Sequence, residues 1–577
     1  LPDALASAIT PPPGEPLALV QTALSREPVD PIGAIEACRE GALRALPYLV
    51  VEGVSPRVEP AAGLGAQSTY RRAIEYATLI AHRQAIEEGR HWTEVLARAG
   101  IVVRGQVGAF QGTGWNEALP SRAFEVDGFR HRAERGGAGA PIVLSRRRVD
   151  ESLAAERHFP ETLHQAATAV LRPATSREGG LAVLELHDPV RNPEMLWRPF
   201  PEGAPLALAY DLTTPLARQF GDSKLNLVGV LGVLFPSEFD GKSGLYMMDP
   251  YQPGKIPVVF VHGLMSSPQA WTNAMNDLRG DPVLRERYQF WMFFYSTGNP
   301  ILTSAARLRE ALLEARHEFD PGHRDAGLDR MVLVGHSMGG VLSRLAVSAS
   351  GDTLWEAACK VPPEQLDIDD RLKRGMMAAL HFEPIPSVSR VVFVATPHRG
   401  SPMGDQLIGR VGSSLIALPR TVTDVSTALL RSNAKDQIAP IFRDRRQLTS
   451  IAQLGQKNPV LHLVGELPMR RDVPFHSIVG YNGRGPLVEG GDGVVPYKSA
   501  HLAQARSELV VLSDHSAQEN PDAIDELRRI LMTHLEAADT GPSHDGPAPI
   551  RYALEPSRDP TRPLSRITAN PKLLIVR

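Results

Sequence analysis

The sequence has few cysteines and no long apolar run. Only Cys38 and Cys359 occur among 577 residues, so no disulfide framework can hold the chain together. The sequence leaves a single bridge between the two open, and we expect both to be buried thiols. The longest apolar candidate, Leu225 to Phe235, is shorter than the roughly 18 residues that a membrane-spanning helix needs. The sequence therefore predicts no transmembrane segment, and it leaves peripheral contact with a membrane open.

Motifs for metals and nucleotide cofactors are also missing. The chain contains no H-E-x-x-H, no C-x-x-C, no P-loop and no G-x-G-x-x-G that opens a helix after a strand. Asp367, Asp369 and Asp370 cluster, but they lack the rest of a calcium loop and are interpreted as solvated surface. A net charge of −3 gives no reason to expect nucleic acid. We predict no cofactor, no metal and no nucleic-acid partner.

The composition is that of a globular protein, with 43% hydrophobic and 22% charged residues. The length predicts more than one domain. We expect a mainly helical accessory region over residues 1–175, a catalytic domain over 176–540 and a polar tail over 541–577. Because the chain starts with Leu1 rather than Met, we expect a removed signal and a location outside the cytoplasm, periplasmic, secreted or lipid-anchored.

Within the accessory region, apolar spacing predicts helices over Ile32–Val51, Tyr70–Gly89 and Glu161–Leu171. The glycine-rich basic stretch His131–Arg148 is interpreted as a solvated loop. No catalytic motif occurs in this region.

From Leu181 onward the pattern changes to strands, and then to strands that alternate with helices. That alternation predicts an α/β fold with a mostly parallel sheet covered by helices on both faces. The predicted strands are Leu181–His187, Leu206–Tyr210, Leu245–Met248, Ile256–His262, Phe290–Tyr295, Met331–Val334, Val391–Ala395, Val460–Val464 and Leu509–Leu512. The predicted helices are Ala270–Arg279, Ser304–Phe319 and Pro521–Ala537.

Two long insertions, 352–388 and 409–458, interrupt this pattern and have the length of lids. The first carries the apolar run Met376–Leu380, which suits either a lid that faces an apolar substrate or ordinary core.

The strand Met331–Val334 is followed at once by the pentapeptide Gly335-His336-Ser337-Met338-Gly339 and a small-residue helix pattern. A serine at such a tight strand-to-helix turn has strained backbone angles, which expose its Oγ. Glycines two residues away on either side remove a Cβ that would collide with neighbouring backbone. The sequence therefore predicts a nucleophile elbow with Ser337 as the nucleophile.

A serine nucleophile needs a base and an acid that orients the base. In this fold class the acid and the histidine follow the serine along the chain, each in a loop after a late strand. Asp492 lies between glycines in such a loop, and His515 follows the last predicted strand. These two residues are our predicted acid and base. The alternatives for the base are His398, His476 and His501, and those for the acid are Asp405 and Glu489.

Acyl transfer also needs hydrogen-bond donors for the oxyanion of the tetrahedral intermediate. The backbone N–H of Met338, directly after the nucleophile, is one predicted donor. The glycine-containing loop after the first parallel strand supplies the second, for which we assign the N–H of Leu264. His262 is interpreted as an orienting residue of this loop beside the substrate, and Met265 and Trp271 as contacts for an apolar acyl chain.

Five segments, VVFVHGLMSSP, VGHSMGG, ATPHRGSP, GDGVVPYKSAH and SDHS, occur in that order. Together they resemble the α/β-hydrolase superfamily, in particular bacterial lipases and carboxylesterases, and also deacylases that act on lipid-linked inositol. The resemblance covers about residues 180 to 540. It implies hydrolysis of carboxylic esters through an acyl-serine intermediate and gives the same site assignments. Residues 1–175 depart from the usual single-domain pattern, so the substrate and the oligomeric state stay open.

We therefore expect a serine esterase or lipase with a small-molecule or lipid ester as its substrate. Two alternatives remain: phospholipid or lipid-linked deacylation or acyl transfer, and a hydrolase-fold binding protein without catalysis.

Overall fold

The computed structural model describes residues 15–49, 60–149, 154–192, 194–200, 205–221, 243–402, 436–443, 449–540 and 551–553. The described chain forms two compact units. One contains the residues up to 149 and those from 160 to 221; the other contains 154–159 and the residues from 243 onward. The boundary that we predicted at residue 175 falls inside the first unit, because Thr162–Pro173 and Ala182–His187 pair in one sheet across it.

The α-helices, numbered in chain order, are α1 Glu15–Arg26, α2 Pro31–Leu49, α3 Pro60–Glu88, α4 Trp92–Arg98, α5 Ala154–Arg157, α6 Thr213–Gly221, α7 Thr272–Gly280, α8 Pro282–Arg287, α9 Ile301–Phe319, α10 Met338–Ala346, α11 Thr353–Ala358, α12 Asp370–Leu380, α13 Pro440–Arg443, α14 Ser450–Gln453, α15 Pro459–Glu466, α16 Tyr497–Ala500 and α17 Pro521–Thr540.

The strands, numbered in the same way, are β1 Ile101–Arg104, β2 Gln106–Val107, β3 Phe110–Gln111, β4 Glu117–Pro120, β5 Glu134–Arg135, β6 Ala140–Arg147, β7 Thr162–Pro173, β8 Ala182–His187, β9 Leu196–Trp197, β10 Leu206–Ala207, β11 Tyr210–Asp211, β12 Gly244–Met247, β13 Ile256–Val261, β14 Tyr288–Phe294, β15 Met331–His336, β16 Val388–Val394, β17 Phe475–Tyr481, β18 Ser507–Leu512 and β19 Arg551–Ala553.

The first unit begins with helices and continues as a five-stranded sheet in the order β1-β8-β7-β6-β4. Helices α2 and α3 lie where apolar spacing predicted helices. Two other predictions are wrong. The segment Glu161–Leu171, predicted as a helix, is strand β7, and the basic stretch predicted as a loop contains strand β6. These two strands pair with each other over eight residues, so cross-strand pairing outweighs the helical preference of the alanines in β7.

The second unit contains an eight-stranded sheet in the order β12-β14-β13-β15-β16-β17-β18-β19. Every neighbouring pair is parallel except β12 with β14, which confirms the predicted α/β fold with a mostly parallel sheet. Strands β13 and β15 are buried along their whole length, as their continuous apolar sequences require in a sheet covered on both faces.

The fifth parallel strand was predicted in the wrong place. Residues 460–464 belong to helix α15, which Asn458 caps by accepting a hydrogen bond from the Val460 N–H (2.9 Å) and which has Pro459 in its first turn. The strand at that position of the sheet is β17, Phe475–Tyr481. The predicted tail also contributes a short strand, β19, which pairs with β18.

The first insertion carries helix α12, and its apolar run packs against the hydrophobic core. Leu380 is buried, and Met376 and Met377 contact the same core cluster. Most of the second insertion, together with Asp405 and the apolar run 225–235, lies outside the described residues. Among the residues described, no helix is both long and apolar enough to cross a membrane.

Candidate active site

Strand β15 ends at His336 and helix α10 begins at Met338, so Ser337 alone makes the turn between them. Its backbone has φ 51° and ψ −121°, a conformation that costs a non-glycine residue energy. A Cβ on Gly339 would lie 2.3 Å from the Val261 carbonyl oxygen, and one on Gly335 would lie 2.5 Å from the Gly339 carbonyl oxygen. Both glycines are therefore required for the turn to fit between β13 and α10.

A continuous line of hydrogen bonds leads away from Ser337. His515 Nε2 lies 2.9 Å from Ser337 Oγ, and His515 Nδ1 lies 2.7 Å from Asp492 Oδ2. His515 follows strand β18 and Asp492 lies in the loop between β17 and β18, so the three residues gather at the carboxyl edge of the sheet. The structure thus brings together the three residues that the sequence predicted as nucleophile, base and acid.

Asp492 is held in a fixed orientation. Its side chain is 1% exposed, and its second oxygen, Oδ1, accepts hydrogen bonds from the N–H groups of Val494 (2.8 Å) and Val495 (2.7 Å). Because one carboxylate oxygen is tied to the backbone, the other faces His515 Nδ1. A carboxylate in this position selects the imidazole tautomer whose Nε2 can accept the serine proton.

The loop after β13 approaches the elbow closely. A Cβ on Gly263 would lie 2.8 Å from His336 Nδ1 and 3.0 Å from Ser337 Cβ, so only glycine allows this approach. Leu264 follows directly and is half-buried against the hydrophobic core. The N–H of Met338 lies in the first turn of α10, where no carbonyl of the helix can accept it. Both predicted oxyanion donors therefore belong to backbone beside Ser337.

The three residues predicted to contact substrate lie in different environments. Met265 has φ 55° and is 45% exposed. His262 is buried, stacks on Tyr295 (ring centroids 4.4 Å apart) and keeps its Nδ1 3.1 Å from the Gly263 carbonyl oxygen, so it orients the loop from within. Trp271 is completely buried between Phe260 and His336. Its predicted contact with substrate is therefore wrong, because no part of the indole reaches solvent.

The alternative bases have other partners. His501 Nδ1 lies 2.7 Å from Glu508 Oε2, and His476 lies between Arg390 and Ser507. His398 is buried against Phe393, with ring centroids 4.6 Å apart.

The two alternative acids were Glu489 and Asp405. Glu489 is exposed, and Asp405 lies outside the described residues. Asp514, next to His515, accepts a hydrogen bond from the Ser516 N–H (2.9 Å) and so stabilises its own turn.

Two buried residues were missed by the sequence reasoning. Tyr295 donates its hydroxyl to the His262 carbonyl oxygen (2.7 Å) and so supports the loop that carries Gly263 and Leu264. His336 lies 2.8 Å, through its Nε2, from the carbonyl oxygen of His515. No short motif signals either contact. The one sequence signal is that both residues lie at the carboxyl ends of parallel strands, where the ligand-binding sites of α/β sheets form.

Burial keeps the neighbouring histidines neutral. Desolvation lowers the pKa of His262 to about 4. Desolvation, and then the proximity of His515, lower the pKa of His336 to about 3. At neutral pH neither ring adds a positive charge beside His515, so His515 keeps the role of proton acceptor.

A cleft of about 460 Å³ lies elsewhere in this unit. Tyr251, Ile256, Phe319 and Arg330 are among its lining residues. Ile256 starts β13, and Arg330 directly precedes β15. The cleft is therefore at the amino ends of the strands and is separate from the site at Ser337. Among the described residues, no group of histidine, cysteine or acidic side chains is placed to hold a metal ion.

The elbow, the hydrogen-bonded serine, histidine and aspartate, and the parallel sheet define the architecture of an α/β hydrolase. Residues 258–527 match the model of the alpha/beta hydrolase family. No curated protein matches the chain.

Solved structures to which part of the chain is similar include two bacterial lipases. Lipase BlEst2 of Bacillus licheniformis in its mature form is 18% identical, with a TM-score of 0.31; the match covers 50% of this chain and 97% of that one. Lipase 1 of Pelosinus fermentans is 14% identical, with a TM-score of 0.30 and coverage of 49% and 98%. A carboxylesterase structure of Nitrososphaera gargenis is 11% identical, with a TM-score of 0.26 and coverage of 51% and 95%.

Proposed function

We propose that the protein is a serine hydrolase that cleaves carboxylic esters through an acyl-serine intermediate. The observation that supports this most directly is the line of hydrogen bonds from Ser337 Oγ through His515 to Asp492. In this proposal Ser337 attacks the ester carbonyl carbon while His515 Nε2 takes the proton of its hydroxyl. Asp492 stabilises the imidazolium that forms.

The negative charge of the tetrahedral intermediate then falls on the former carbonyl oxygen. The N–H groups of Leu264 and Met338 stabilise that oxyanion, and each such donor contributes about 2.7–4 kcal/mol to transition-state stabilisation. Collapse of the intermediate breaks the bond to the alcohol, which leaves with the proton from His515. Water, activated by the same histidine, then releases the acid and regenerates Ser337.

The proposed substrate is a carboxylic ester with an apolar acyl chain, since Met265 offers an exposed apolar side chain next to the proposed Leu264 donor. Hydrolysis of p-nitrophenyl butyrate and palmitate by the wild type and by Ser337→Ala tests both the assignment of the nucleophile and the preference for an apolar acyl chain. We expect the wild type to cleave at least one ester and the variant to fall to background. The ratio of the two rates then distinguishes an esterase from a lipase. Equal rates for wild type and variant would refute the assignment.

A further inference from the structure

His336 occupies the first variable position of the G-x-S-x-G motif, and its ring is buried beside all three parts of the proposed machinery. Its Nε2 lies 2.8 Å from the His515 carbonyl oxygen, and the two rings are 4.9 Å apart. Its Nδ1 lies against Gly263, where a Cβ would come within 2.8 Å. The peptide bond after it leads directly to Ser337.

We propose that His336 is a positioning residue that ties the loop of the base to the nucleophile elbow, an inference that rests on the proposed function. A carbonyl oxygen can only accept, so His336 Nε2 carries the proton and donates it to the His515 carbonyl. The tautomer is thereby fixed, and Nδ1 is left as an unprotonated nitrogen facing Gly263. This nitrogen is buried and has no hydrogen-bond partner among the residues that the structure describes.

The hydrogen bond from His336 acts on the base because it holds the backbone of His515 itself. The Ser513 N–H donates to the Tyr481 carbonyl oxygen (2.9 Å) and the Ser516 N–H donates to Asp514 (2.9 Å), so the turn is held on both sides of His515. The His336 hydrogen bond holds the carbonyl of His515 to the elbow. Without it the imidazole can shift away from Ser337 Oγ, and displacements of about 1 Å at a reacting group cost about 100-fold in rate.

The ring suits this position because it stays uncharged. The groups that face it are His515, Asp492 and His262, and burial outweighs the attraction of Asp492 in keeping its pKa low. A second cation beside His515 would oppose formation of the imidazolium in the transition state. A neutral donor holds the loop without that penalty.

Two variants of similar side-chain length separate the hydrogen bond from packing. His336→Gln keeps an N–H donor near the position of Nε2, and His336→Met fills similar space without a donor. On p-nitrophenyl butyrate we expect His336→Met to lower kcat about 10- to 100-fold with KM nearly unchanged, and His336→Gln to recover most of that loss. The pH dependence of kcat/KM should shift in His336→Met and return towards wild type in His336→Gln.

A proton NMR signal gives a readout that does not depend on substrate. The Nδ1–H of His515 in its hydrogen bond to Asp492 should give a downfield resonance, which we expect to broaden or shift in His336→Met and to persist in His336→Gln. If the wild type cleaves no ester, the proposed function fails, while this resonance still decides the role of His336.

Equal kcat values for the two variants, or an unchanged resonance in His336→Met, would overturn the inference. Thermal melts show whether each variant folds. If His336→Met does not fold, His336→Asn replaces it. Asparagine is a donor that is one methylene too short to reach the carbonyl, so a difference from His336→Gln still supports the hydrogen bond, and equality refutes it.

Discussion

The two units each contain a serine hydrogen-bonded to a histidine at the same distance. In the first unit Ser145 Oγ lies 2.9 Å from His164 Nδ1; in the second, Ser337 Oγ lies 2.9 Å from His515 Nε2. Ser145 and His164 face each other on the paired strands β6 and β7, and both are nearly inaccessible to solvent. They form a cross-strand pair of the kind that stabilises a sheet.

The pair Ser337–His515 differs from Ser145–His164 in backbone conformation, in exposure to solvent and in having a third hydrogen-bonded residue. Ser337 has strained backbone angles at the end of a strand, and His515 lies in a loop with 24% of its side chain exposed. The histidine presents Nε2 to the serine, which leaves Nδ1 for Asp492. A serine–histidine distance alone therefore does not identify a site; the strained turn, the third group and access to solvent do.

The largest expected effect is on covalent labelling by a fluorophosphonate. An activated serine reacts with about one probe per chain, whereas a serine without that activation does not react. We expect Ser337→Ala to abolish labelling and Ser145→Ala to leave it unchanged, as measured by intact-protein mass spectrometry. Labelling that survives in Ser337→Ala would place the reactive nucleophile elsewhere.

Two histidine–carboxylate pairs in the second unit have the same geometry: Nδ1 lies 2.7 Å from a carboxylate oxygen in both His501–Glu508 and His515–Asp492. Asp492→Asn should lower kcat about 10³- to 10⁴-fold, because an amide no longer selects the productive tautomer or stabilises the imidazolium. Glu508→Gln serves as the matched control and should retain activity. Similar losses in both variants would show that the carboxylate acts through folding, not through the base.

The approach of the oxyanion loop can be tested at Gly263. An alanine there would bring its Cβ within 3.0 Å of Ser337 Cβ and closer still to His336, so the loop must move away. Displacing one oxyanion donor costs about 2.7–4 kcal/mol, so kcat should fall at least about 100-fold. Gly244→Ala is the control, because a Cβ at Gly244 meets nothing within 4 Å. Full activity in Gly263→Ala would exclude this loop from the site.

The smallest expected effect is the contribution of each buried histidine to the free energy of unfolding as the pH falls. Burial lowers the pKa of His262 to about 4 and of His336 and His534 to about 3, and it also lowers the pKa of His398 and His476. The unfolded chain binds more protons than the folded one below about pH 6.5, so stability is present above that pH and is lost as pH falls towards the folded pKa.

Each of these histidines contributes a slope of up to about 1.4 kcal/mol per pH unit in that window. Urea unfolding between pH 7.5 and 4.5 measures the slope. His336→Gln should make it shallower, while the exposed His317→Gln should not. A slope that is the same in His336→Gln and the wild type would contradict the buried, neutral state of His336.

The sequence patterns predicted the central strands well, because strands β13 and β15 carry unbroken apolar runs and lie in the middle of a sheet covered on both faces. The elbow was predictable because the spacing of Gly335, Ser337 and Gly339 permits one backbone path. Asp492 and His515 were predictable because the acid and the histidine follow the serine in that order along chains of this fold class.

The failures have physical reasons. Residues 460–464 resemble a buried strand, but the cap at Asn458 and Pro459 starts a helix there. Strand β17 was overlooked because His476 and Ser477 are polar, and burial of His476 depends on Arg390 and Ser507, which are remote in sequence.

Strand β7 is rich in alanine and was predicted as a helix; only its partners β6 and β8 make it a strand. The role of His336 could not be predicted, because its contact with His515 spans 179 residues and the motif tolerates other side chains at that position.

The order of the parallel sheet has a consequence for the time course of folding. Ser337 and His515 are separated by 178 residues, and strand β18, which places His515, pairs with β17 and with the short strand β19. Contacts between such distant segments form late, because closing the intervening chain costs entropy before any contact compensates for it. Enzyme activity should therefore return after helical structure does when the denatured chain refolds, and its appearance marks the docking of the last long strand.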